Sequence, residues 1–446
     1  MTVGDVPAAV LPTVAIEGLD QEGRGVGHLG GRIVLVPGAL PGEKVRFRRT
    51  SRKRSHDEGV AEATEAASPE RVRPRCEHFG VCGGCSLQHL NAESQIELKL
   101  QWLLGSLRRI GGVEPENVLP PLLGPRWGYR RKARLAVMYD NRRGRAIVGF
   151  HGRNVPRIAE IHQCEVLQSD VASLFAPLAD LIGRLTVRRH IPQIEVAVGE
   201  SQRALCFRML AAPSENDSIK LREFAREHRF GVFVHADGTD GPRSLAGADG
   251  ELHYELGDYG VSIAFSPIHF VQVNGDINRS MVSLALDLLR PKPTDRVLDL
   301  FCGLGNFTLP VSTRAASVVG VDGDRTLISW ARRNADRNNI GNAAFHAADL
   351  TAEPHGAAWI RGPYDSVILD PPRTGALGAL PHVADTGAER ILYLSCDPRT
   401  LARDAGYLVR ERGYRLERAG VIDMFPHTSH VESVALLRRT WPTSVR

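Results

Sequence analysis

The residues that decide the fold class are Val297-Leu298-Asp299-Leu300-Phe301-Cys302-Gly303-Leu304-Gly305, at the start of the last third of this 446-residue chain. A short apolar run that ends in Gly-x-Gly is typical of a buried strand whose backbone turns sharply into a helix. Further strand-like runs follow, with helical patterns between them, at 317–321, 343–346, 366–369, 391–394, 416–423 and 431–437. This alternation predicts a parallel sheet with helices on both faces, ending in a strand pair.

Acidic residues follow several of these predicted strands. Asp322 follows the second strand, Asp349 the third and Asp370 the fourth. Because the carboxyl ends of parallel strands share one edge, these carboxylates should converge where open sheets bind ligands. The alternative for each one alone is a turn residue or a helix cap, but together they favour an adenosine-containing ligand, whose ribose hydroxyls Asp322 can bind. S-adenosylmethionine fits better than a dinucleotide, because the Gly-x-Gly turn has no dedicated pyrophosphate cradle.

A cysteine and a glutamate are predicted at the same edge. Cys396 follows the fifth strand in Ser395-Cys396-Asp397-Pro398, and Glu432 stands near the start of the last strand. A lone cysteine is most often a buried apolar residue, but this one is predicted beside the cofactor. A thiol and a carboxylate that face one pocket form a nucleophile–base pair, which is the role we predict for them.

Four of the seven cysteines form a second candidate site. Three have the spacing Cys76-x5-Cys82-x2-Cys85 in a glycine-rich segment, and Cys164 is the best candidate for a fourth ligand. Clustered thiols suit a soft metal or an iron–sulfur centre. Zinc is the alternative, because the spacing alone does not separate it from iron.

Charge and composition favour a nucleic-acid partner. The net charge is only +5, but seven basic residues and no acid lie between Lys44 and Arg54, and ten basic residues with one acid lie between Arg126 and Arg157. Basic stretches interleaved with aromatics suit RNA or DNA, although a solvated charged face is the alternative. No apolar run is long enough for a membrane span and no secretory signal is present, so we expect a cytoplasmic protein.

Residues 266–446 resemble the RNA uracil-5-methyltransferase family, which uses S-adenosylmethionine to make 5-methyluridine. The motifs that carry the resemblance occur in a fixed order: Phe270-Val271-Gln272-Val273-Asn274, Asp299-Leu300-Phe301-Cys302-Gly303-x-Gly305-Asn306, Asp370-Pro371-Pro372-Arg373, Ser395-Cys396-Asp397-Pro398 and residues 423–432. Residues 12–66 have short strand-like runs between glycine-rich turns, which predicts a small barrel. This segment resembles a TRAM domain, a small RNA-binding β-barrel, in Gly25-x-Gly27, Val34–Val36 and Pro37-Gly38-Ala39-Leu40-Pro41-Gly42-Glu43.

The resemblance implies roles for individual residues. The implied cofactor contacts are Gln272, Phe301, Asn306, Asp322, Asp349 and Asp370. Cys396 is implied as the nucleophile and Glu432 as the base. A [4Fe–4S] cluster is implied on Cys76, Cys82, Cys85 and Cys164. Phe270 is a candidate for stacking on the target base, with a core aromatic as the alternative.

The expected architecture is multidomain α/β. It consists of a TRAM-like (OB-like) barrel at 1–70, a central α/β iron–sulfur domain at 71–265 and a Rossmann-like class I methyltransferase domain at 266–446. A helix at about 92–110 is expected to pack on the catalytic domain.

The expected function is methylation of carbon 5 of a flipped-out uridine in structured RNA, through a covalent cysteine–uracil intermediate and by a monomer. By analogy within the family, 23S ribosomal RNA is favoured and tRNA is the alternative. Methylation of a base amino group and a non-catalytic role in RNA binding or ribosome assembly are further hypotheses.

Overall fold

The computed structural model describes residues 11–153, 157–236, 241–247, 251–350, 358–360 and 362–440. The chain forms two compact units. Among the described residues, the first unit contains those up to Leu98 together with His427–His430, and the second contains those of Lys99–Pro426 and those from Val431 to Thr440. Across the described ranges, no helix has the length and apolar character that a membrane span requires.

The first unit is built on a small barrel of short strands. The strands are β1 Thr13–Leu19, β2 Arg24–Leu29, β3 Arg32–Pro37, β4 Lys44–Arg52 and β5 His56–Ala66. They close in the order β1-β2-β3-β5-β4, because β1 pairs with both β2 and β4. Alternate side chains fill the interior, which includes Val14, Val34, Val45 and Phe47. The predicted barrel is confirmed.

A long helix and a short strand follow. Helix α1 covers Ala92–Ser106 and continues as a π-helical turn over Leu107–Gly111. Gly111 is required there, because a Cβ atom at this position would lie 2.5 Å from the carbonyl oxygen of Ala402. Strand β6 is the two-residue segment Asn117–Val118.

The middle of the chain is a mixed sheet with three helices and a separate hairpin. The sheet strands are β7 Lys132–Asp140, β8 Arg145–His151, β9 Ile158–Glu160, β10 Gln193–Val198, β11 Arg203–Met209, β12 Gly231–Ala236 and β13 Arg243–Ala246. Their order is β13-β12-β11-β10-β7-β8-β9. The helices are α2 Ser169–Ala172, α3 Phe175–Gly183 and α4 Glu215–His228, and the hairpin pairs β14 Leu252–Leu256 with β15 Val261–Phe265.

The last part of the chain forms an eight-stranded sheet that carries the predicted site. Its strands are β16 Arg296–Leu300, β17 Ser317–Asp322, β18 Ala343–Ala347, β19 Ser366–Leu369, β20 Arg390–Ser395, β21 Tyr414–Ile422 and β22 Glu432–Arg439, with β6 at one edge. The helices are α5 Gly275–Leu289, α6 Thr308–Ser312, α7 Arg325–Arg337, α8 Leu380–Asp385 and α9 Pro398–Arg412.

The order of this sheet is β18-β17-β16-β19-β20-β22-β21-β6. Strands β16 to β20 are parallel, and every residue of β19 and β20 is buried, as expected when both faces of a sheet are covered. Strand β22 runs antiparallel between β20 and β21. The predicted parallel sheet and terminal strand pair are confirmed, whereas the edge strand β6 was not predicted.

Candidate active site

The candidate site lies at the carboxyl edge of the eight-stranded sheet. Phe301, Asp322, Asp370 and Cys396 each occupy the end of a parallel strand or the position directly after it. Because β22 runs in the opposite direction, its first residue, Glu432, lies at the same edge. The topology therefore brings five of the predicted site residues to one side of the sheet.

The pairing of β20 with β22 makes Cys396 and Glu432 neighbours. Ser395, the last residue of β20, pairs with Ser433 of β22. Because the two strands are antiparallel, the residue that follows Ser395 lies opposite the residue that precedes Ser433. Cys396 and Glu432 occupy these two positions, and the Glu432 carboxylate contributes to the electrostatic environment of the thiol.

The Cys396 thiol is kept protonated by its surroundings. Burial raises its pKa to about 11, and the carboxylates of Glu432 and Asp370 contribute in the same direction. The Arg373 guanidinium opposes them and lowers the pKa. Only a thiolate is an effective nucleophile, so this site needs additional positive charge before the cysteine can react.

The carboxylic acids Glu432 and Asp370 of this site also hold their protons more tightly than in water. Burial raises the pKa of Glu432 well above its ordinary value, and the charge of Asp370 adds to the effect. Burial raises the pKa of Asp370 itself to about 7. A buried group of acids with raised pKa values favours a cationic ligand, because a nearby positive charge stabilises the carboxylates.

Asp299, within β16, is a further buried acid that was not predicted as a site residue. Its pKa is raised to about 7, mainly by burial and also by Asp370 and Asp322, whereas a hydrogen bond from Thr308 Oγ1 opposes the shift. Its Oδ1 atom is buried and has no hydrogen-bond partner within the described part of the chain. Asp299 is the fourth residue of the mostly apolar strand β16 and comes before the glycine turn. The sequence pattern there does not indicate that its carboxylate belongs to the site.

The side chain of Asp322 accepts a hydrogen bond from the glycine turn that follows β16. Phe301, Gly303 and Gly305 have φ angles of +64°, +54° and +92°, in the left-handed region that favours glycine. The Gly303 amide donates to Asp322 Oδ2 at 3.0 Å, and the Asp324 amide donates to Asp322 Oδ1 at 2.9 Å. A carboxylate has about four acceptor positions, so Asp322 can still accept from ligand hydroxyls.

Hydrogen bonds and one cation–π contact connect two of the predicted cofactor residues, Asn306 and Gln272. Asn306 Oδ1 accepts from Tyr254 Oη at 2.8 Å and from Asn278 Nδ2 at 2.9 Å. The Arg131 guanidinium lies 4.4 Å from the centre of the Tyr254 ring, and Arg131 Nε donates to the Gln272 carbonyl at 2.9 Å. Tyr254, Asn278 and Arg131 were missed by the sequence analysis, since no motif spacing connects residues this far apart.

The remaining predicted residues differ in exposure. Gln272 is buried, Phe301 and Asn306 are half-buried, and Asp349 is exposed after β18. Phe270 has an exposed fraction of 70%. Its alternative interpretation as a core aromatic is therefore wrong.

The four predicted metal ligands are divided between the two units. Cys76, Cys82 and Cys85 belong to the first unit and Cys164 to the second. The Gly84 amide donates to Cys82 Sγ at 3.4 Å, and burial raises the pKa of the Cys82 thiol, with a further contribution from Cys76. Within the ranges that the structure describes, no group of three or more His, Cys, Asp or Glu side chains is arranged to hold a metal ion.

Two protein families match parts of this chain. Residues 253–440 match the family described as tRNA (Uracil-5-)-methyltransferase, and residues 12–48 match the TRAM domain.

Curated relatives and a solved structure align over nearly the whole chain. A protein of Alkalilimnicola ehrlichii is 49% identical over 428 residues, 96% of each chain. A protein of Methylococcus capsulatus is 46% identical over 425 residues, 95% of this chain and 96% of that one. Both are named 23S rRNA (uracil(1939)-C(5))-methyltransferase RlmD. The tRNA (uracil-54, C5)-methyltransferase of Pyrococcus abyssi, solved with S-adenosyl-L-homocysteine, has a TM-score of 0.72 and 26% identity, over 96% of this chain and 100% of that chain.

Proposed function

The chain belongs to the RNA uracil-C5-methyltransferase family, and we propose that it transfers a methyl group from S-adenosylmethionine to carbon 5 of a uridine in 23S ribosomal RNA. Its barrel is a TRAM domain, and its eight-stranded sheet has the class I methyltransferase fold. The observation that carries the proposal is the placement of Cys396 beside Glu432 at the carboxyl edge of the sheet. Relatives named for 23S rRNA share almost half of their residues with this chain, whereas the solved tRNA enzyme shares 26%. This difference favours ribosomal RNA over tRNA, and a ribosomal substrate implies a cytoplasmic enzyme.

The first half of the proposed reaction activates the pyrimidine ring. Carbon 5 of uracil is a poor nucleophile, so the Cys396 thiolate first forms a bond from Sγ to carbon 6. The electron pair of the C5–C6 double bond moves toward O4 and gives an enolate. Carbon 5 of this enolate would then bond to the methyl carbon as the bond between that carbon and the sulfonium sulfur breaks, with the electron pair of that bond going to the sulfur. When bound, S-adenosylmethionine supplies the methyl group and a positive sulfonium charge.

The second half restores the double bond. Glu432 takes the proton from carbon 5, the electrons of the C–H bond re-form the C5–C6 double bond, and the C6–Sγ bond breaks to release the thiolate. The raised pKa of Glu432 makes its carboxylate a stronger base than one in water. Arg373 lowers the pKa of the Cys396 thiol, which supports both the attack and the departure of the sulfur.

The pocket residues fit the proposed cofactor. We propose that it is held by Gln272, Phe301, Asn306, Asp322, Asp349 and Asp370. The unpartnered buried Oδ1 of Asp299 and the acids with raised pKa values support a ligand that carries positive charge and hydrogen-bond donors. Asn306, fixed by Tyr254 and Asn278, offers such a ligand an already oriented amide.

A [4Fe–4S] cluster is the second part of the proposal. The ligand set Cys76, Cys82, Cys85 and Cys164 stays a prediction from the sequence. The electrostatic effect of Cys76 on the Cys82 thiol and the amide hydrogen bond from Gly84 to Cys82 Sγ support a sulfur-rich site in this segment. In a [4Fe–4S] cluster each cysteine sulfur binds a different iron. The four sulfurs therefore lie farther apart than the sulfurs that bind a single metal ion. Four protein thiolates would leave no iron open, which suits a structural role.

The function can be tested directly with unmodified RNA. Purified protein is incubated with radiolabelled S-adenosylmethionine and either 23S rRNA or tRNA transcribed in vitro, and the nucleosides are identified by mass spectrometry. We expect labelled 5-methyluridine in 23S rRNA. Label in tRNA alone would support the alternative substrate, a base methylated on its amino group would support another reaction, and tight binding without label would support a non-catalytic role. RNA from a deletion strain and its parent would then locate the nucleotide.

A further inference from the structure

A fully buried lysine lies outside the set of residues proposed for the reaction. Lys99, on α1, has no exposed surface, and its Nζ atom donates to Asp423 Oδ1 at 2.7 Å and to the Phe425 carbonyl at 2.9 Å. A lysine is almost never fully buried unless it is paired. Transferring the charges of Lys99 and Asp423 from water to the interior costs free energy, and their mutual attraction offsets this cost only in part. A contribution to stability alone therefore does not explain why the pair is present.

The segment that Lys99 holds is adjacent to the proposed base. Asp423 directly follows β21, and the preceding residue, Ile422, pairs with Glu432 across β21 and β22. The Asp423 amide also donates to the carbonyl of Leu122 at 2.9 Å. The end of β21 is thus fixed through both the side chain and the backbone of Asp423.

The same turn has a further anchor. Tyr129 Oη donates to the Pro426 carbonyl at 3.3 Å. Tyr129 and Lys99 therefore bind carbonyls of successive residues, Pro426 and Phe425. Lys99 differs from Tyr129 because it also carries the charge that Asp423 pairs with.

We infer that Lys99 is a positioning residue for Glu432, because its ammonium group fixes the end of the strand against which the base is paired. This inference rests on the proposed function. In the proposed reaction, Glu432 acts only after Cys396 has bonded to carbon 6 and the methyl group has been transferred. Loss of the Lys99 ammonium should therefore slow the release of product more than the formation of the covalent complex.

The variant Lys99→Met tests this order of events, because it keeps an unbranched apolar side chain and removes the ammonium. A shift of a catalytic group by about 1 Å can cost about a hundredfold in rate, so we expect kcat to fall at least about tenfold. KM for RNA should fall with it, because a slower step after methyl transfer leaves kcat/KM unchanged. The methylated protein–RNA complex should accumulate on denaturing gels. Lys220→Met is the matched control, since Lys220 lies on α4 and donates to the Arg184 carbonyl, and it should behave as the wild type.

A second variant separates positioning from folding. Replacement of a buried ion pair by apolar residues is often neutral or stabilising, so Lys99→Met with Asp423→Leu should keep the wild-type melting temperature and still accumulate the methylated complex. Normal turnover without accumulation would overturn the inference, and so would a parallel loss of complex and turnover. Wild-type protein that makes no 5-methyluridine would instead overturn the proposed function, and this inference with it.

Discussion

At the scale of single residues, the chemistry depends on a thiol whose pKa is raised by burial and by neighbouring carboxylates. The pKa of Cys396 is raised to about 11. As long as the pH stays below this value, each rise of one pH unit increases the thiolate fraction about tenfold. We expect the alkylation of Cys396 by iodoacetamide to accelerate about tenfold per pH unit from pH 7 to pH 10, measured by peptide mass spectrometry. Arg373→Gln should slow alkylation at every pH in this range. A rate that levels off near pH 8 would contradict the high pKa.

The base can be separated from the nucleophile by substitution. Glu432→Gln keeps the size of the side chain but accepts no proton from carbon 5, so we expect a methylated covalent protein–RNA complex and at least about a hundredfold less released product. Cys396→Ser should give neither species, and the exposed control Glu215→Gln on α4 should turn over normally. Denaturing gels and nucleoside mass spectrometry provide both measurements. Full turnover by Glu432→Gln would remove this residue from the mechanism.

Asp299 should make the protein less stable as the pH rises. Its pKa is raised from 3.8 to about 7, so between these values the folded state binds more protons than the unfolded state, and stability falls until pH 7 is passed. Asp299→Asn removes this loss and should gain up to about 4 kcal/mol over the wild type. Melting temperatures measured from pH 4 to pH 8 test this expectation. The difference in melting temperature between Asp299→Asn and the wild type should grow from pH 4 to pH 8. For the exposed control Asp287→Asn, the same difference should stay constant.

At the scale of secondary structure, local patterns predicted the elements but not every connection between them. Strands β16 to β20 are apolar runs with clear limits, so their positions and their shared edge could be predicted. Strand β6 has only two residues and carries no periodicity. The π-helical turn at the end of α1 depends on close packing of Gly111 against Ala402, which a local pattern does not contain.

The same contrast explains which site residues were predicted. Cys396 and Glu432 each adjoin a strand that could be identified, so their proximity follows from strand direction. Lys99 and Asp423 are 324 positions apart, and although Asp423 begins the segment 423–432, no motif contains Lys99. Their pairing is a product of tertiary packing and becomes visible only in three dimensions.

The cysteine loop of the first unit should carry iron if the proposed cluster forms. We expect protein purified without oxygen to be brown and to contain iron and sulfide in equal amounts. Cys82→Ala and Cys164→Ala should both lose the colour and the iron. Cys206→Ala should keep them, because Cys206 is a buried residue of β11 outside the predicted ligand set. A colourless protein that contains zinc would contradict the cluster.

At the scale of the whole molecule, the basic stretch 44–54 carries less free positive charge than the sequence indicates. Strand β5 places acids beside the arginines of β4, with Arg46–Glu65 at 3.5 Å and Arg48–Glu62 at 2.8 Å. Residues 44–54 contain no acid in the sequence, but in the structure the acids of β5 lie beside two of their arginines. The exposed residues Arg52, Lys53 and Arg54, at the end of β4 and in the turn after it, are the better candidates for RNA contacts.

The salt dependence of RNA binding can separate these two groups of arginines. Each cation that contacts a phosphate adds about 0.7 to 0.9 to the slope of log affinity against log salt concentration. Replacing Arg52, Lys53 and Arg54 together by Gln should lower that slope by about 2 and weaken binding most at low salt. The control Arg48→Gln with Glu62→Gln removes an ion pair without changing the net charge, so its slope should equal that of the wild type. Equal slopes for all three proteins would show that RNA does not contact this end of the barrel, and the affinity would then have to come from basic residues elsewhere in the chain.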